Sequence, residues 1–198
     1  FVARESGTFR LTNNSINYSL DNGTTWTTLA SNTDSPTVAS GSKIMWKATL
    51  APVSNVGIGT FSSTAKFDVE GNPMSLLFGD DFSGQTSLSG KSYSFYSLFN
   101  SNNNLVSAEN LALNATTLAG YCYYQMFYHC TSLTIAPELP ATELAEYCYY
   151  YMFRDCTSLT TVPVLPATTL ASGCYSHMFG GCTSLTSAPT LPATTLVS

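Results

Sequence analysis

Charge is what this chain has least of. Only 10% of its 198 residues are Asp, Glu, Lys or Arg, and seven basic against twelve acidic residues leave a net charge of −5. A nucleic-acid partner needs clustered Lys and Arg to displace the counterions of a phosphate backbone; here they are few and scattered, so no nucleic-acid partner is expected. No apolar run reaches the ~18 residues that cross a bilayer as a helix, so no transmembrane segment is expected. The chain has two histidines, His129 and His177, and lacks a Cys-x-x-Cys pair, a Gly-x-Ser-x-Gly elbow and a glycine-rich phosphate loop. Nothing therefore asks for a metal, a cofactor or a catalytic nucleophile, and the chain reads as no enzyme. A signal peptide is missing too. Yet the chain opens on Phe1 rather than Met, which reads as a processed or trimmed chain whose export signal is already gone.

What is present is a repeat. Read from Leu139, a 26-residue unit runs to Val164; the unit before it starts at Leu113, the one after it at Leu165, and a broken one at Leu191 ends the chain. Cys122, Cys148 and Cys174 fall in register, as do Cys130, Cys156 and Cys182. So do Met126-Phe127, Met152-Phe153 and Met178-Phe179, then Leu133, Leu159 and Leu185. A fixed period of this length is the mark of a solenoid, in which no unit buries its apolar face alone. Within one unit Leu118, Cys122, Met126, Phe127 and Cys130 are spaced to share one face of a helix, which Thr116 or Thr117 can cap. Ser132–Ala136 then reads as a short strand, stopped by Pro137 and Pro140, which cannot donate to a ladder. Each unit is thus expected to be strand, proline turn and helix.

At this point the chain resembles a family. Met-Phe-x-x-Cys-Thr-Ser-Leu-Thr followed by Leu-Pro-Ala-Thr-Thr-Leu-Ala is similar to the BspA-like leucine-rich repeats of surface proteins from anaerobic gut bacteria. The match covers roughly residues 92–198. Phe61-Ser-Ser-Thr-Ala-Lys-Phe-Asp-Val-Glu-Gly-Asn and Ser75-Leu-Leu-Phe-Gly-Asp also resemble the segment that often precedes such repeats. The resemblance implies an α/β leucine-rich-repeat solenoid on a secreted or surface-anchored protein with an adhesive role. It transfers no catalytic residue.

The first part reads as all-β and sandwich-like. Phe9 and Leu11 alternate with polar neighbours; so do Ile44, Trp46 and Ala48, then Phe67 and Val69, before Gly71-Asn72-Pro73 turns the chain into Met74–Phe78. The boundary falls in the Gly- and Ser-rich stretch 79–90, giving a β-rich module over 1–85 and a repeat region over 86–198. Within the latter, 92–112 is a worn first repeat, with Leu98-Phe99 in the Met-Phe slots and Asn102 in a cysteine slot, ahead of repeats 113–138, 139–164, 165–190 and the partial 191–198.

Three constellations remain. The six cysteines are expected to be free buried thiols, because eight residues on one helix hold Cys122 and Cys130 about 12 Å apart, beyond disulfide reach. Ser19-Leu20-Asp21-Asn22-Gly23-Thr24-Thr25-Trp26 matches the Asp-box pattern of sialidases and other β-propellers. One copy cannot make a propeller, and three arginines are too few for a sialidase site, so the hairpin itself is the expected content. Tyrosine is dense in the repeats. Tyr123, Tyr149 and Tyr175 are in register and expected in the core. Tyr121, Tyr124, Tyr128, Tyr147, Tyr150 and Tyr151 occupy variable slots and form the candidate ligand surface, offered to a host surface protein or a glycan. The expected function is non-catalytic adhesion or protein binding, with glycan binding or processing through the Asp-box hairpin as the alternative.

Overall fold

The computed structural model describes residues 1–196; of the partial repeat read at 191–198, positions 197 and 198 lie outside them. Strands β1 (Val2–Ala3), β2 (Phe9–Leu11), β3 (Ile16–Ser19), β4 (Thr27–Leu29), β5 (Met45–Lys47), β6 (Phe61–Ser63) and β7 (Phe67–Gly71) precede a single α-helix, α1 (Ser75–Phe78), and a 3-10 turn at Gly79–Phe82. Strand β8 (Leu105–Leu111) and the two-residue strands β9 (Thr169–Leu170) and β10 (Thr195–Leu196) follow. The sheets are small: β4-β3-β5 and β2-β6 are antiparallel, β1-β7-β8 is mixed, and β9-β10 is a parallel pair. The expected alternation is seen at β5, where Trp46 and the preceding Ile44 are buried and Met45 between them is exposed. Met74–Phe78 is not a further strand. Asn72 Oδ1 accepts the Met74 N–H at 2.9 Å, and the Leu76 N–H closes a turn on the Pro73 carbonyl at 2.9 Å as α1 begins.

The repeats overturn the expected α/β leucine-rich-repeat solenoid. Among the described residues no helix lies beyond Phe82, and the stretch read as a capped helix from Thr116 to Cys130 is a run of consecutive turns. The spacing explains it. Leu118, Cys122, Met126 and Cys130 recur at a strict interval of four, whereas an α-helix overshoots a full turn by about 40° every four residues and by about 120° over three such steps. A chain of four-residue turns does not drift. It presents Cys122-Tyr123 and Met126-Phe127 inward and Tyr124-Gln125 and Tyr128-His129 outward. Each turn has one residue in the left-handed region: Tyr121, Gln125 and His129 at φ 58°, 54° and 60°, then Tyr147, Tyr151 and Asp155 in the next unit. The strand expected at Ser132–Ala136 reduces to one bridge, Ile135 to Ser107.

Hydrogen bonding explains why the chain accepts left-handed residues that cost about 1–2 kcal/mol each. In each unit every second N–H closes a turn on the carbonyl three residues back, as Cys122 does on Ala119 and Met126 on Tyr123. In every unit before the last, the alternate N–H groups leave the unit. Tyr121, Tyr123, Gln125, Phe127 and His129 donate to the carbonyls of Glu146, Cys148, Tyr150, Met152 and Arg154 at 2.9–3.1 Å. Each unit is therefore a flat tier lying in register on the next, and the backbone is satisfied without helix or long strand. Inside run two aromatic columns. Phe95, Tyr123, Tyr149 and Tyr175 stack at 5.5–5.7 Å, and Phe99, Phe127, Phe153 and Phe179 at 5.4–5.6 Å.

The worn repeat is the first tier, and the β-rich part meets it by imitating a further one. The Phe61 N–H donates to the Leu98 carbonyl at 2.7 Å, as Phe99 does to Met126 at 2.9 Å. The Phe61 ring lies 5.9 Å from Phe99 and continues its column. In later tiers the Cys130, Cys156 and Cys182 thiols donate to the carbonyls of Phe99, Phe127 and Phe153 at 2.9–3.0 Å. Asn102, in the equivalent slot, sends its amide to the Phe61 carbonyl at 3.1 Å. Gly57, at φ 69°, lets the β-rich part approach so closely that a Cβ there would sit 2.8 Å from the Tyr96 carbonyl oxygen. With β8 pairing in parallel to β7, one hydrophobic core runs through both regions.

Candidate functional site

The turn geometry decides where the tyrosines go. A residue in the left-handed position and the one three further on both point outward, so Tyr121 and Tyr124 stand side by side on the surface of one tier. Tyr147 and Tyr150 occupy the same positions one tier on. The result is two columns. Tyr93, Tyr121 and Tyr147 stack at 4.8 and 5.2 Å; Tyr96, Tyr124 and Tyr150 stack at 4.9 and 5.0 Å. Rungs join them, with Tyr121 5.8 Å from Tyr124 and Tyr147 5.4 Å from Tyr150. All six of the tyrosines read as candidates, Tyr121, Tyr124, Tyr128, Tyr147, Tyr150 and Tyr151, are half-buried on this side. Tyr128 and Tyr151 form the flank, 6.3 Å apart, with Arg154 over the Tyr151 ring at 4.7 Å. Tyr93 and Tyr96 belong to the array and are missing from the candidates. Their signal was present: Phe99 and Phe127 are 28 residues apart, and the same offset carries Tyr93 onto Tyr121 and Tyr96 onto Tyr124.

Stacking limits what this face offers. The rings lie almost parallel, 5° and 6° at the first tier contacts, so their π faces are spent on one another. Even Tyr147, whose neighbour in the column is Gly173, is covered: a Cβ on Gly173 would stand 2.3 Å from its ring. What reaches solvent is a grid of ring edges and hydroxyls. Edges carry the positive part of the ring quadrupole and phenols donate, so the grid favours acceptor-rich partners. Burial and nearby phenols raise the Tyr96 and Tyr124 pKa values, burial followed by the Glu146 carboxylate raises that of Tyr121, and contact with the Tyr151 hydroxyl pushes Tyr150 up to about 12.

The other constellations are structural. All six cysteines are free and buried. The helix spacing that first argued against a disulfide does not apply, since there is no helix; the thiols fill core slots and, in one row, donate to the neighbouring tier. Burial pushes Cys130 and Cys148 up to about 12 and Cys182 up to about 11, so none is a ready nucleophile. In the Asp-box hairpin Asp21 accepts from the Thr25 hydroxyl at 2.6 Å, the Thr25 N–H at 2.9 Å and the Ser19 hydroxyl at 2.7 Å. Those bonds hold its carboxyl down at about 2, and Trp26 Nε1 donates to the Gly23 carbonyl at 3.0 Å. The carboxylate is spent on its own loop. Among the described residues no three His, Cys, Asp or Glu side chains gather as a metal site, and no helix is long and apolar enough to cross a membrane. No family model, curated protein or solved structure matches the chain.

Proposed function

We propose that the chain is a non-catalytic binding protein, displayed outside the cell, whose tyrosine grid is its interaction surface. One observation carries the reading: the tyrosines that vary between repeats are assembled by the tier register into a continuous array on one side. Tyrosine is a favoured interface residue because it brings rigid area at a small entropy cost. Stacking has already ordered these rings, which reduces that cost further. A protein partner is favoured over a glycan, because sugar rings bind aromatic faces and the faces here are covered. Affinity for one copy is weak, and many copies on a surface compensate by avidity. Screening the chain against extracellular-protein and glycan arrays tests this directly. The triple change Tyr124→Ser, Tyr150→Ser, Tyr151→Ser is expected to weaken the protein ligand found by at least about tenfold, or about 1.4 kcal/mol. A ligand bound equally well by the triple variant refutes the assignment.

A further inference from the structure

The repeat 165–190 forms the tier at one end of the stack, and its outer side is open in part. β10 pairs with β9 and overlies the strand part of this tier. The turn part is different. One tier inward, Tyr147, Tyr149, Tyr151, Phe153 and Asp155 donate to the carbonyls of Ser172, Cys174, Ser176, Met178 and Gly180 at 2.7–3.2 Å. Their counterparts Gly173, Tyr175, His177, Phe179 and Gly181 donate to no backbone carbonyl of the described residues. The two inner aromatic columns stop at the same place, with Tyr175 on Tyr149 and Phe179 on Phe153. Tyr149 and Phe153 are buried, whereas Tyr175 and Phe179 are only half-buried. The leucine that opens each repeat is 2% exposed at Leu113, Leu139 and Leu165 but 52% exposed at Leu191. A row of unpaired N–H groups beside apolar surface is a template for pairing, and proteins ordinarily blunt such an edge with charge, above all with Lys. No Asp, Glu, Lys or Arg follows Asp155 in the sequence, so this edge is not blunted.

A second copy of the chain does not fit here. Two such ends set face to face oppose donor to donor. The opposite end of the stack, whose carbonyls would accept, is occupied by the β-rich part, with the Phe61 N–H on the Leu98 carbonyl and Gly57 against Tyr96. We infer that the edge docks one tier of another polypeptide, an uncharged segment that lays a row of backbone carbonyls on the five N–H groups and an apolar side chain on each of Tyr175 and Phe179. The interface continues the one between the inner tiers. Its chemistry is that of strand addition, in which main-chain bonds give affinity and side-chain slots give specificity. The segment 171–185 meets these terms, because it already accepts the five N–H groups of the tier before it. A free segment must be ordered as it docks, so the binding is weak. The edge lies at the end of the stack and the tyrosine grid on its flank, so the inference does not rest on the function proposed above.

The test follows amide hydrogen exchange in the full ¹⁵N-labelled chain, under reductant, with a terminally blocked synthetic peptide of sequence 171–185 as the probe. In the free chain Gly173, Tyr175, His177, Phe179 and Gly181 are expected to exchange at least about tenfold faster, corrected for local sequence, than Tyr147, Tyr149, Tyr151, Phe153 and Asp155. Millimolar peptide is expected to slow the first five saturably, by at least about tenfold. A scrambled peptide of the same composition is expected to leave them unchanged, as is a peptide carrying Met178→Ser and Phe179→Ser. Equal exchange of the two sets in the free chain overturns the proposal, because the edge is then already covered. So does the absence of slowing with the peptide, or equal slowing with the scrambled one. Slowing that grows with the concentration of the chain alone overturns it too, since the occupant is then a second copy.

Discussion

The β-rich part and the repeats satisfy the same backbone in different ways. In the first, strands pair across long stretches of sequence: β1 with β7, β2 with β6, β3 with β5. Each pairing is specific to its place, and both tryptophans are there. In the repeats every tier before the last described one makes the same two kinds of bond, one back three residues and one on to the next tier. A loss in a middle tier therefore removes contacts on both sides, while a loss at the last tier removes them on one. The repeats also hold every cysteine and eleven of the twelve tyrosines, so the two regions differ in how they answer to alkali.

Alkali is the broadest way to separate the regions. Burial holds the folded thiols above their ordinary value of about 9, to about 12 at Cys130 and Cys148. Between those values the unfolded chain has released protons that the folded chain keeps, so raising the pH favours unfolding. Stability is fully present below about pH 9 and lost progressively towards pH 12. Urea midpoints at pH 8, 9.5 and 11 should fall in that order, and the tyrosine signal of the repeats should change no later than the tryptophan signal of the β-rich part. A flat midpoint would mean that the thiols are hydrated.

Single cavities come next. Phe127 is fully buried between Phe99 and Phe153, so Phe127→Ala should cost about 3–5 kcal/mol, and Phe179→Ala in the half-buried last position clearly less. Leu159→Ala against Leu185→Ala should show the same order, because Leu159 is fully buried and Leu185 is not. Denaturant titration of the four variants measures it; equal losses within either pair would show that the last tier is enclosed as well as the middle ones.

The junction is a smaller target. Asn102→Ala removes the amide that reaches the Phe61 carbonyl and accepts the Ser63 hydroxyl, and should cost about 1–3 kcal/mol. Asn102→Cys restores the thiol donor of the later tiers and should recover part of that loss. If the cysteine variant is the worse of the two by thermal denaturation, Phe61 does not stand in for a repeat residue.

The smallest effect concerns the left-handed positions. Gln125, half-exposed at φ 54°, can become Gly with relief of the Cβ strain, offset in part by the greater freedom of the unfolded chain. Gln125→Gly should be neutral to about 1 kcal/mol stabilising. Gly181→Ala should go the other way, since its Cβ would lie 2.1 Å from Asp155 Oδ1. A Gln125→Gly variant with a clearly lowered melting temperature would argue against the turn geometry.

The sequence by itself determined the period, the inward slots and the first tier. Identical residues 26 apart need identical surroundings, which is why the Cys, Met-Phe and Leu slots read as core and are buried, save Phe179 and Leu185 in the last unit, which are half-buried. It also held a clue to the missing helix, in the strict four-residue spacing of Leu118, Cys122, Met126 and Cys130 and in glycine at Gly173 and Gly181. Both are compatible with a left-handed residue in each turn, and neither excludes a helix when one unit is read alone. Only the tertiary structure decided between them, because the alternate N–H groups find their acceptors 25 residues away in another tier. The same register turned scattered tyrosines into stacked columns and spent their faces. Phe61 as a continuation of the Phe99 column, and the unpaired indole of Trp46, were beyond sequence reading altogether: each depends on chain segments that meet only in the folded protein.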